Sequence, residues 1–165
     1  MVVNPMLNIT LLCVGKLKER YWRDACEEYE KRLGAFCKFR LVEVAEERLP
    51  DNPSAAQIAA TIEAEGERLI AQIPKDSAVI ALCIEGKEMD SPALAEYIER
   101  LAVDGTSHIV FIIGGSWGLS DTVKGRARLR FSMSKLTFPH QLARVMLLEQ
   151  IYRAFQINKN GKYHK

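Results

Sequence analysis

His140 and Arg144 stand one helical turn apart in a mostly apolar run, so an imidazole and a guanidinium share one helix face. Imidazole ionises near neutral pH, which suits it to proton transfer. An unpaired guanidinium in apolar surroundings is costly, so Arg144 requires either an internal carboxylate or an anionic ligand. Upstream, Gly114, Gly115 and Gly118 follow an apolar, β-branched run. Glycines there allow either a tight turn or close approach of backbone to a ligand. Lys124, Arg126, Arg128 and Arg130 fit phosphate contacts or a solvated surface equally well. The closing stretch 158–165, with Tyr163 and His164 among lysines, either frays or offers an aromatic ring to a base.

Charge is unevenly spread. Residues 122–165 carry ten Lys/Arg against one acid, Glu149, whereas residues 1–121 carry thirteen against twenty. A polyanion-facing surface and a merely solvated basic face both satisfy that pattern. Other chemistries are excluded by missing motifs. The first strand ends in a lone Gly15 instead of a dinucleotide fingerprint, and the chain has neither a phosphate-binding P-loop nor a G-x-S-x-G elbow. Cys13, Cys26, Cys37 and Cys83 form no C-x-x-C pair, and the three histidines lie far apart in sequence. Reduced thiols in a cytoplasmic protein, with no metal site, are the expectation. No apolar run reaches the roughly 18–20 residues that span a bilayer, and no signal-peptide pattern opens the chain.

The elements that must position these groups alternate along the chain. With 165 residues, 48% of them hydrophobic, one domain with a real core is expected over residues 6–165, with 1–5 as an extension. Apolar runs at 7–15, 39–44, 78–84 and 109–113 predict strands, the third apolar throughout and central, the fourth covered on both faces, and a short further strand follows the basic stretch. Helices are predicted from about residue 20 to 33, from the Ser54/Gln57 capping box to about 72, and from a Ser91 cap with Pro92 in the first turn to Gly105. Trp22, Ala25, Tyr29 and Leu33 form the buried face of the first. Ile58, Ile62, Leu69 and Ile73 form that of the second, and Leu94, Tyr97, Ile98 and Leu101 that of the third. A turn at 137–139 leads into a final helix that is apolar on almost every side, as in a core helix or one shared with another subunit. This alternation predicts an α/β fold with a mainly parallel sheet flanked by helices. Ligands in such sheets sit beyond the carboxyl ends of strands, here at 82–86, 113–118 and 133–138.

G-G-S-x-G-L at 114–119, S-K-L-T-F-P-H-Q-L-x-R-V at 134–145, L-x-E-Q-I-Y-R-A at 147–154, the closing Y-H-K and the opening VGKLKERYW at 14–22 resemble one family. It is the bacterial 23S rRNA pseudouridine N3-methyltransferases, of the SPOUT class, and the likeness extends over residues 6–165. The resemblance implies a C-terminal trefoil knot, a homodimer, and S-adenosylmethionine held by Leu82, Gly114, Gly115, Met133, Ser134, Lys135, Leu136, Thr137 and Phe138. For such a reaction His140 and Arg144 are the expected catalytic residues, His140 as the candidate base for the ring N3 proton because it ionises near neutral pH, and Arg144 to stabilise the resulting anion or hold phosphate. Arg126, Arg153, Tyr163 and His164 would meet the rRNA of an assembled ribosome, the tail reaching over the partner's cofactor. Trp117 departs from the pattern, standing where a smaller residue is expected.

Overall fold

Alternating side chains make each interior strand feed two cores. The computed structural model describes residues 6–165; the expected extension, residues 1–5, lies outside the described residues. The order is β1 (Asn8–Val14), α1 (Arg20–Leu33), β2 (Lys38–Val44), α2 (Ala55–Ala71), β3 (Ala78–Glu88), α3 (Ser91–Val103), β4 (His108–Ile113), α4 (Asp121–Arg126), β5 (Leu129–Ser132) and α5 (His140–Asn158). In β1, Ile9, Leu11 and Cys13 enter one core while Leu12 and Val14 enter the other. β4 divides likewise, with Ile109, Phe111 and Ile113 opposite Val110 and Ile112. This is the two-residue period of a pleated strand.

All strand pairs are parallel, in the order β2-β1-β4-β3-β5. β3 is interior, but β4 takes the middle place expected for it. Helices α1, α3 and α5 cover one face and α2 with α4 the other. The carboxyl ends of the strands therefore share one edge, and α5 starts beside it.

Local chemistry explains most boundaries. Ser54 Oγ accepts from the Gln57 N–H at 3.1 Å and Gln57 Oε1 accepts from the Ser54 N–H at 2.8 Å, completing the capping box of α2. Asp90, not Ser91, caps α3, its Oδ1 accepting from the Ala93 N–H at 2.8 Å. Ser91 instead donates to Gln150 on α5 at 2.7 Å. β3 runs past Ile84 to Glu88 because residues 83–86 bulge outward. Leu82 and Lys87 both pair with Phe131. Gly86 permits this, since a Cβ there would lie 2.7 Å from the Arg130 backbone.

Two helix faces differ from expectation. On α1 only Cys26 and Leu33 are buried, while Trp22, Ala25 and Tyr29 are half-buried. On α2 the buried residues are Thr61, Glu65, Gly66 and Leu69, a stripe rotated from the isoleucines. Gly66 is the reason: it brings α2 against Ser120, the cap of α4. Gly66→Ala would drive its Cβ into Ser120 Oγ. Urea unfolding is expected to show a loss of about 1–3 kcal/mol, outweighing alanine's better helix propensity.

Candidate active site

Three strand-end loops and the start of α5 enclose a cleft of ≈ 900 Å³, within the usual range for small-molecule sites. The loop after β4 is tightly built. Gly118 adopts φ +88°, its N–H donates to Gly115 O at 3.1 Å, and a Cβ on Gly114 would lie 2.9 Å from the Gly118 backbone. The loop after β5 is stapled by serines. Ser132 Oγ donates to Ser134 O at 2.9 Å, and Ser134 Oγ accepts from the Leu136 N–H at 3.0 Å. The bulge of β3 supplies the third wall.

Leu82, Gly114, Gly115, Met133, Ser134, Leu136, Thr137, Phe138 and His140 all line this cleft; Lys135 is exposed and does not. Sequence reasoning placed the walls but did not single out Ile84, Ser116, Gln141 or the Lys124–Glu85 ion pair at the rim. The pair joins groups 39 positions apart, so no local pattern signals it.

His140 occupies the first position of α5, and its Nδ1 is buried without a hydrogen-bond partner. Burial and the neighbouring Arg144 charge push its pKa below the ordinary 6.5, with Glu46 opposing them. That direction favours the uncharged ring, the form able to accept a proton.

Arg144 lies beneath the cleft with 1% of its surface exposed. Its Nη1 donates to Glu43 Oε2 at 2.6 Å and its Nη2 to Gly15 O at 2.8 Å. Of the two alternatives in the sequence, the folded chain supplies the internal carboxylate. Direct contact with an anionic substrate, the other alternative for Arg144, does not fit a side chain that is 1% exposed and already paired with Glu43, although its Nε is buried without a partner. Glu43 and Gly15 stand 101 and 129 positions away, beyond any spacing argument.

The remaining expected substrate residues fall elsewhere in the chain. Arg126 lies at the opposite, amino-terminal edge of β3 and β5, beside Lys75, Tyr97, Arg100 and Arg128. Arg153, Tyr163 and His164 come together near the far end of α5. Arg153 pairs with Glu149 at 2.8 Å, approaches His164 Nδ1 at 3.2 Å, and lies 4.7 Å over the Tyr163 ring. Tyr163 also donates to Glu149 at 2.9 Å and packs edge-on against Tyr152, so the tail is docked where fraying was one expectation. Among the described residues no group of three or more His, Cys, Asp or Glu is placed to hold a metal, and no helix is long and apolar enough to cross a membrane.

Parallel α/β sheets bind ligands beyond the carboxyl ends of their strands, and the cleft at that edge, bordered by the start of the final helix, has room for a nucleotide-sized cofactor. The family is specific: a family model described as "Predicted SPOUT methyltransferase" matches residues 7–164, and the chain belongs to the SPOUT methyltransferases. A protein of Clostridium beijerinckii is 50% identical over 159 residues, covering 96% of this chain and all of its own length. One of Bifidobacterium adolescentis is 53% identical over the same coverage. Both are named Ribosomal RNA large subunit methyltransferase H. A solved structure described as a probable methylase family protein from Haemophilus influenzae Rd KW20 matches with a TM-score of 0.51 at 14% identity, over 96% of this chain and 70% of its own. It supports the fold.

Two outcomes follow from this geometry. Arg144→Ala leaves Glu43 as an uncompensated, largely enclosed carboxylate, so unfolding free energy should fall by about 3–5 kcal/mol. In a proton-NMR titration His140 should titrate below the ordinary 6.5. Since its folded pKa lies below the unfolded one, its contribution to stability is present above the unfolded value and lost as pH falls through the folded value.

Proposed function

We propose that the protein uses S-adenosylmethionine to methylate N3 of a pseudouridine in 23S rRNA on assembled ribosomes, in the cytoplasm, as a homodimer of one domain spanning residues 6–165. The observation that carries this reading is the convergence of three strand-end loops on one cleft with His140 at its margin, its Nδ1 buried and without a partner. The names of relatives about 50% identical across the chain support an rRNA substrate.

The cleft fits the donor: apolar walls from Leu82, Ile113 and Phe138 alternate with backbone of Gly114 and Gly115 and with the serine-stapled loop. Leu82, Gly114, Gly115, Met133, Ser134, Leu136, Thr137 and Phe138 would hold it. When bound, the donor supplies a methyl group already activated on a sulfonium. The chain's own residues orient the acceptor, exclude water and take one proton. His140 accepts the N3 proton of the ring. Arg144 is a positioning residue: its fixed charge favours the neutral imidazole, and its ion pair anchors the first turn of α5. That charge also favours the anionic ring at a distance.

A dimer across the half-buried stripe Leu142, Val145 and Met146 would let one protomer's Arg153, Tyr163 and His164 approach the other's cleft. Arg126 and its neighbours would meet rRNA phosphates at the far edge. Residues 133–139 carry the chain from the end of β5 to the start of α5 at the same edge, where the C-terminal trefoil knot expected of the family would lie.

Transfer of labelled methyl to 70S ribosomes, compared with free rRNA and followed by nucleoside analysis, tests the reading. N3-methylpseudouridine formed preferentially on ribosomes is the expected result. His140→Ala should lower the rate by about 10²–10⁴-fold, the usual contribution of a positioned base. A normal rate in that variant would remove His140 from the chemistry.

A further inference from the structure

Among the few large apolar side chains exposed in the described chain, Ile84 (53%), Trp117 (47%) and Leu136 (69%) all surround the mouth of one cleft. Each comes from a different loop: the β3 bulge, the glycine turn after β4 and the serine-stapled turn after β5. Single exposed apolar residues need no explanation, but three converging on one opening mark a binding surface. Trp117 sits on a built turn. The Gly118 N–H to Gly115 O bond and the close packing of Gly114 on Gly118 hold the backbone on both sides of it. The turn therefore fixes the backbone from which the exposed indole projects, so little backbone ordering is left to lose on binding.

We infer that Trp117, flanked by Ile84 and Leu136, is the platform against which the target nucleobase lies while His140 addresses its ring nitrogen. The inference rests on the rRNA methylation proposed above. A base taken out of its stack loses contacts on both faces, and an aromatic plane returns one of them. A methyl donor with charged ends fits the rim less well, because those ends need the polar groups found deeper, at Gly114, Gly115, Ser132 and Ser134. The charge beside the platform also suits a nucleotide. Lys135, next to Leu136, is exposed and has no ion-pair partner among the described residues, leaving it free for a phosphate.

The test compares Trp117→Phe and Trp117→Leu with the wild type in methyl transfer to 70S ribosomes. S-adenosylmethionine affinity is measured by calorimetry and oligomeric state by gel filtration. Stacking is worth roughly tenfold or more, so Trp117→Leu should raise KM for ribosomes by about that factor while Trp117→Phe stays within about twofold. S-adenosylmethionine affinity and oligomeric state should be unchanged in both variants. Unaltered KM in Trp117→Leu overturns the inference. So does a loss confined to S-adenosylmethionine affinity, which would give the platform to the donor, or a change of oligomeric state, which would give it to a second protomer. Leucine keeps the apolar bulk, and circular dichroism of both variants checks that the turn and fold survive. Absence of methyl transfer by the wild type would instead defeat the rRNA reading, a result separate from any of these.

Discussion

Burying the Arg144 guanidinium carries a large desolvation cost, and the fold offsets it by bringing distant elements together. Glu43 sits near the end of β2 and Gly15 just beyond the end of β1, where φ of +83° turns the chain. One side chain of α5 thus bridges two neighbouring strand ends. The pair straddles the surface, with the guanidinium 1% and the Glu43 side chain 24% exposed. Pairing and hydrogen bonding are what make such a charge tolerable, although a well-packed apolar substitute can be as stable. Its value here is geometric. It sets where α5 begins, and one turn earlier on that helix stands His140. The same charge helps keep the imidazole neutral.

From that anchor the cleft follows from backbone spacing. A parallel sheet places all its carboxyl ends on one edge, but adjacent loops would fill the space between them unless held apart or folded tightly. β3 bulges away, which Gly86 makes possible by lying against β5. The loop after β4 folds on itself through Gly114 and Gly118. Serine hydroxyls hold the loop after β5 without help from a regular element. The three devices differ chemically yet have the same consequence, an opening of useful size bounded by fairly rigid walls. On the other face, Gly66 brings α2 close enough to bury Glu65, whose Oε1 lacks a partner and whose pKa is raised by burial.

Much of this was legible because it is local. The period of two in β1 and β4, the Ser54/Gln57 box and the strand-end rule are all written within short stretches, and they located the strands, α2 and the cleft walls. What escaped depends on contact between remote residues or on elements too short to show a period. α4 has six residues, and only Ser120 and Asp121 at its start signal it. The buried face of α2 is set by Ser120, not by the isoleucines. β3 resumes after its bulge only because β5 is there to pair with it. The apolar surround of α5 was ambiguous from sequence; in the chain it packs against α1 and α3, and no residue of α5 is fully exposed.

The far end of α5 bears on how many chains the proposed reaction needs. Glu149, the sole acid within 122–165, accepts from Arg153, Gln150 and Tyr163, and burial with that hydrogen bond lifts the Tyr163 phenol to about 12. Tyr163 therefore stays a neutral donor, and the basic segment spends its one carboxylate on docking the tail. Arg153 stands thirteen residues after His140, about 20 Å along the helix at a rise of ~1.5 Å per residue. One rigid helix thus carries the proposed base at its start and the proposed recognition cluster near its end. A single nucleotide cannot easily engage both within one chain, because the helix fixes their separation. The proposed homodimer removes that conflict if the recognition cluster is supplied by the second chain. The length of α5, anchored at Arg144, sets that separation.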